Sequence, residues 1–146
     1  MKTFLLVIFT LLLLLSSCND NTTQPQLLPQ LDTLTGTTWK WEQYINEKGR
    51  IINVADSTLM PFIISFINDS YVTGNSGCNE YRVEYKKDSN KIDFDNYCTT
   101  KVMCKFTDIY QYSICNAYQI LSATENEFII KTNYSLCKVM YFTRND

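Results

Sequence analysis

Between Glu80 and Tyr85 the residues alternate without a break, Glu80, Arg82 and Glu84 against Tyr81, Val83 and Tyr85. A period of two cannot lie along one helical face. It fits a strand with one side in water and the other in a core, the habit of antiparallel sheets. Lys86 to Asn90 then reads as a solvated turn, and on the returning strand Ile92 and Phe94 point inward while Lys91, Asp93 and Asp95 stay outside. This hairpin is bracketed by Gly77-Cys78-Asn79-Glu80-Tyr81 and Thr99-Thr100-Lys101-Val102-Met103-Cys104. Whatever the chain folds into must close around it.

The flanking chain supplies more strands. Thr37 to Ile45 reads as the first, with Trp39, Trp41 and Ile45 on the core side and Lys40, Glu42 and Tyr44 opposite. Asn46 to Arg50 is a turn, Ile51 to Val54 a short strand, and Phe62 to Ile67 a nearly all-apolar one that begins after Pro61. Asn68-Asp69-Ser70 turns the chain into Tyr71-Val72-Thr73, where Gly74 is expected to break the pattern. A helical stripe of Tyr110, Ile114, Ala117, Tyr118 and Leu121 predicts one long helix from about Asp108 to Ser122, capped by Thr107. Glu127 to Thr132 and Leu136 to Thr143 form a last hairpin. The expected fold class is mainly β (α+β): a curled antiparallel sheet or small barrel with one helix packed on it or plugging one end.

The first 17 residues read as a secretory leader, with Lys2 as its positive start and an almost unbroken apolar run from Phe4 to Leu15. That run is too short to span a bilayer comfortably. Leu15-Ser16-Ser17-Cys18 resembles the lipobox of bacterial lipoproteins, which implies cleavage before Cys18 and attachment of lipid to it. Several acyl chains would make the anchor stable. Residues 18–33 are polar with two prolines and read as a tether, and residues 34–146 as the domain. Loss of Lys2 with the leader changes the formal net charge from −2 to −3. Such a chain offers no basic stripe for nucleic acid, so no nucleic-acid partner is expected.

The bracketing motifs also resemble a family. Gly77, Cys78, Asn79 and Tyr81, followed by Thr100, Met103 and Cys104 and then a helix, resemble the META domain, or HslJ-like, family of bacterial envelope proteins. Leu34-Thr35-Gly36, Trp39, Phe66 and Gly74 extend the likeness over residues 34 to 143. The resemblance implies a small barrel-like fold in an envelope or envelope-stress setting, with no catalytic residues and no cofactor. Asp108 stands where a Glu commonly heads the helix, and Cys98, Cys115 and Cys137 are extra to the family's usual cysteine pair.

In an oxidising compartment disulfides are expected. Cys78 with Cys104 is the predicted pair, worth roughly 3 kcal/mol by the chain-entropy argument. Two buried thiols are the alternative. For the remainder, Cys98 with Cys137 is the second candidate, leaving Cys115 as a small core residue on the helix. The chain has no histidine, which removes imidazole-based nucleophile activation, and no Cys-x-x-Cys, which argues against zinc and leaves the metal set as none. Glu80, Glu84, Asp93 and Asp95 read as charge pairs with Arg82, Lys86, Lys87 and Lys91 on a solvated face. Asn79 has two readings, a local backbone partner or a ligand contact at the mouth of the sheet. The functional expectation is a non-enzymatic lipoprotein, lipid-anchored in the cell envelope with the outer membrane favoured, whose domain serves interaction with an unidentified envelope protein. The alternatives are a carrier for an apolar small molecule and an inhibitor of a hydrolase, the latter requiring a rigid exposed loop near Cys98 to Cys104.

Overall fold

The structure is a computed structural model that describes residues 33–54 and 60–146. The expected leader, the lipobox Cys18 and the tether up to residue 32 lie outside the described residues. Among the described residues nine strands and one helix follow in order: β1 (Thr38–Ile45), β2 (Ile51–Asn53), β3 (Phe62–Phe66), β4 (Tyr71–Ser76), β5 (Glu80–Asp88), β6 (Lys91–Thr99), α1 (Thr107–Cys115), β7 (Ala117–Ala123), β8 (Glu127–Thr132) and β9 (Val139–Arg144). All pairings are antiparallel between sequence neighbours, except that β3 and β2 share one edge of β1 and β9 pairs with its other edge. That last pairing closes β1 and β3 to β9 into an eight-stranded barrel, as the short strands and tight turns predict. Asn68 Oδ1 accepts the Ser70 and Tyr71 N–H groups, and Asn46 Oδ1 accepts those of Lys48 and Arg50, so both turns form where their asparagines stand.

Aromatic side chains fill the interior. Trp41 packs against Phe62, Tyr110 and Tyr44 with ring centroids 5.2, 5.3 and 5.5 Å away. Lower in the barrel Phe128 meets Trp39, Phe66 and Phe142 at 5.5 to 5.6 Å. Helix α1 plugs one end with Tyr110 and Ile114, both fully buried. Tyr81 and Tyr85 face the core, as their alternation requires.

Three expectations about the elements change. In β1 the register against β9 slips between Trp41 and Gln43. The bulge reverses the phase, so Tyr44 is buried and Ile45 is not. Gly74 does not end a strand: β4 runs through it to Ser76 because a Cβ there would lie 1.9 Å from the Ile63 carbonyl oxygen and 2.7 Å from the Tyr81 hydroxyl. The helix stops at Cys115, and Ala117–Ala123 is a strand. Two register slips, between Ala117 and Gln119 and between Ile120 and Ser122, bury Ala117, Ile120 and Ala123 at a spacing of three. That spacing imitates a helix, and it leaves Tyr118 and Leu121 exposed.

Candidate functional site

The strand directions sort the connections into two ends. The start of β1, the β3–β4 turn, the β5–β6 tip, the β7–β8 turn and the end of β9 lie at one end. The Gly77–Asn79 turn, the segment from Thr100 to Phe106, and α1 lie at the other. All the residues of the bracketing motifs therefore meet at the plugged end.

Gly77 makes the turn between β4 and β5 with φ +86°, where a Cβ would also strike Phe62 Cζ at 2.7 Å. Only glycine satisfies both demands. The next residue, Cys78, is disulfide-bonded to Cys104, with Cα atoms 6.2 Å apart, as predicted. Asn79 is 2% exposed and holds the far side of the loop: its Nδ2 donates to the Val102 carbonyl at 2.6 Å, and its Oδ1 accepts the Val102 N–H at 2.7 Å and the Thr100 hydroxyl at 2.9 Å. It bonds backbone 23 residues away rather than the backbone beside it, its one adjacent partner being Cys78 Sγ at 3.6 Å from Nδ2, and Gly77 takes the left-handed conformation instead. Thr107 is the first residue of α1, not its cap. Its hydroxyl donates to the Ser76 carbonyl at 2.8 Å and lies 2.6 Å from Cys104 Sγ, while Phe106 occupies the cap position with φ +66°.

Beneath this brace three phenols gather. The Tyr81 and Tyr110 hydroxyls are 2.7 Å apart and both reach the Ile63 carbonyl, at 2.9 and 3.1 Å, and Tyr97 stacks on Tyr81 with centroids 5.1 Å apart. Burial pushes all three well above the usual phenol range. They are suited to packing rather than to proton transfer at neutral pH.

The brace displays what it holds. Met103 is 80% exposed and Val102 55%, so the motif methionine is a surface residue on a pinned loop. Tyr112 of α1 stacks on Tyr134, centroids 5.5 Å apart, and with Leu136 adds a second exposed apolar ledge at this end. The sequence pattern makes Leu136 the start of the last strand, but β9 begins at Val139, which leaves Leu136 in the turn beside Tyr134.

The second disulfide candidate is corrected. Cys98 is exposed on β6, Cys137 is buried before β9, and β7 and β8 separate the two strands. Burial pushes the Cys137 thiol up to about 11, with the Ser113 hydroxyl beside it. Cys115 is exposed at the end of α1 and is not a core residue. The acidic residues stand on the solvated face. Lys86 faces Asp93 and Asp88 faces Lys91 in register, while Glu84 faces Asp95 and accepts a hydrogen bond from Asn96 at 2.9 Å. Among the described residues the ion pairs are Lys40 with Glu42 and Arg144 with Asp146, so of the expected charge pairs only Lys86 and Asp93 share a register, and they do not touch. Arg82 lies over the Tyr71 ring, 4.1 Å from its centroid.

A family model described as META domain matches residues 32–119, which ends within β7, short of the 34 to 143 span of the sequence likeness. Among solved structures, an NMR structure of a protein from Burkholderia xenovorans is similar, with a TM-score of 0.60 and 16% sequence identity over 77% of this chain and 83% of that one. At that identity the likeness speaks for the fold alone. No curated protein matches.

Proposed function

The chain belongs to the META domain family, and from that premise we propose that it is a lipid-anchored envelope lipoprotein whose domain is a non-catalytic interaction module. The observation that carries this reading is the pinned loop. Asn79 and the Cys78–Cys104 bond fix residues 100–104 from two sides, and the loop projects Val102 and Met103 from the end of the barrel opposite Thr33. An anchor at Cys18 would place the Thr33 end toward the membrane and the loop away from it. Ordering the loop in advance lowers the entropic cost of binding, which is the use of rigid display. A hydrolase-inhibiting role is the narrower form of this reading, because it requires the same exposed, pinned loop. The apolar-carrier reading is disfavoured by the aromatic side chains that occupy the barrel interior.

The test has two parts. Mass spectrometry of the purified full-length protein reads whether Cys18 is the lipid-bearing N-terminus; an unmodified Cys18 would end the anchor part of the proposal. A photoreactive amino acid at Met103, activated in native membranes, reads the interaction part. The expected result is one discrete protein adduct that weakens when Asn79→Ala is added. An adduct no different from that of the same probe at Ser89 would refute it.

A further inference from the structure

The barrel wall has a seam. Strand β6 pairs with β5 from Lys91 to Thr99, yet its ladder with β7 is a single position, Lys91 opposite Gln119, supplemented by the Ile120 N–H on the Asn90 carbonyl at 2.6 Å. Two features part the strands above that point. The chain must travel through the loop and α1 before β7 begins. In addition β6 bulges at Asn96, whose φ is +54°, where its register with β5 slips between Arg82 and Glu84.

A cleft of about 320 Å³ lies along the seam. Its apolar lining is chiefly Tyr118, which is 41% exposed, with the nearly buried Ile92 and Ala117 behind it. Its rim carries Lys86, Lys87 and Lys91. None of these ammoniums makes an ion pair or a side-chain hydrogen bond with another described residue. Asp88 and Asp93 also line the rim, so it holds three positive charges against two negative ones. An apolar lining beside unpaired ammoniums fits an amphiphilic anion better than either a neutral apolar molecule or a free inorganic ion.

The position of the cleft narrows the source. The β5–β6 tip lies at the end of the barrel where the chain enters at Thr33, and Thr35 there bonds Asp69 in the turn before Tyr71. From Cys18 to Thr33 is 15 residues. Such a segment reaches at most about 50 Å and as a flexible coil averages roughly 20 Å. We propose that the β6–β7 seam seats an anionic phospholipid of the membrane to which the protein is anchored, its phosphate among Lys86, Lys87 and Lys91 and the first part of an acyl chain on Ile92, Ala117 and Tyr118. This inference rests on the lipid-anchor reading above. It makes the domain a sensor of leaflet composition as well as a tethered module, because occupancy of the seam sets how closely the barrel stands to the bilayer.

The test is performed on the full-length lipoprotein reconstituted in phosphatidylcholine vesicles with or without phosphatidylglycerol. A benzophenone amino acid, which keeps an aromatic ring in the cleft, replaces Tyr118, or Tyr112 at the other end as the control. Mass spectrometry reads phospholipid adducts. The expected result is a phosphatidylglycerol adduct at 118 and not at 112, reduced by about five-fold for each lysine replaced among Lys86→Gln, Lys87→Gln and Lys91→Gln. Equal adducts with both lipids, or an adduct indifferent to the lysines, would overturn the proposal. The mass of the intact protein reports the anchor separately. If Cys18 proves unmodified, the same probe is used with soluble short-chain phosphatidylglycerol and phosphatidylcholine: selective labelling at 118 retains the cleft without the anchor, and its absence rejects the cleft on its own account.

Discussion

Replacing Asn79 with alanine tests the central device of the fold. The side chain makes three hydrogen bonds to Thr100 and Val102, two of them to the backbone of Val102, and a longer one to Cys78 Sγ at 3.6 Å, and is almost fully buried. Each such bond contributes about 1 kcal/mol net, and the freed groups of Val102 sit in an exposed loop where water reaches them. The expected loss is therefore about 2–3 kcal/mol rather than the larger value of a sealed site. For a domain of this size that lowers Tm by roughly 8–12 °C. Urea unfolding of oxidised protein gives the loss directly, provided that the slope is unchanged. The second half of the experiment repeats the substitution in a Cys78→Ala/Cys104→Ala background. There the hydrogen bonds must order a loop that the disulfide no longer closes, so Asn79→Ala should cost about 1 kcal/mol less than in the parent. Equal losses in the two backgrounds, or a loss below about 0.5 kcal/mol in the oxidised protein, would refute the picture of two braces on one loop.

Gly74→Ala should destabilise by about 3 kcal/mol or more, because the new methyl meets the Ile63 carbonyl and the Tyr81 hydroxyl; thermal melting checks this against Gly49→Ala, where the space is open and only the left-handed backbone, φ +73°, costs about 1–2 kcal/mol. Raising the pH should weaken the fold. The Cys137 thiol and the Tyr81, Tyr97 and Tyr110 phenols have folded-state pKa values above their ordinary ones, so the unfolded chain loses protons first. Stability is then full below about pH 9 and falls on the alkaline side by about 1.4 kcal/mol per pH unit for each group inside its window, as pH-resolved urea titrations would show. A Tyr110→Phe variant should have a shallower decline. Thiol-reactive labelling of native protein should modify Cys98 and Cys115 quickly and Cys137 only on unfolding, read by peptide mass spectrometry; rapid modification of Cys137 would contradict its burial.

What the sequence makes legible here is decided by how local the cause is. The β5–β6 hairpin, the two asparagine turns and the alternation of Tyr81 and Tyr85 follow from period and turn chemistry within a few residues. The bulges do not. Trp41, Glu42, Gln43 and Tyr44 carry no mark of the slip against β9, since the partner strand lies about 100 residues later. At Ala117, Ile120 and Ala123 two bulges together produce a helical spacing, and the pattern is read as the wrong element for a geometric reason. The site was legible in part. Cys78, Asn79 and Cys104 announce themselves by spacing and by family likeness. That Asn79 grips Val102, and that Met103 stands outside, depends on the path of a loop whose residues have no period of their own.

The closure of the barrel by β1 and β9 has a consequence for the order of assembly. Strand β1 ends at Ile45 and waits for Val139–Arg144, the last of the described strands, while only its other edge can be occupied earlier by β2 and β3. During synthesis from the N-terminus, the edge of β1 that β9 covers stays open until Val139–Arg144 has emerged, with Trp39 and Trp41 on that strand. An open apolar edge is a template for wrong pairing. A chain built this way gains from being kept unpaired until β9 is available, so loss of Val139–Arg144 would leave an incomplete cylinder with the strand of Trp39 and Trp41 at its margin rather than a slightly smaller barrel.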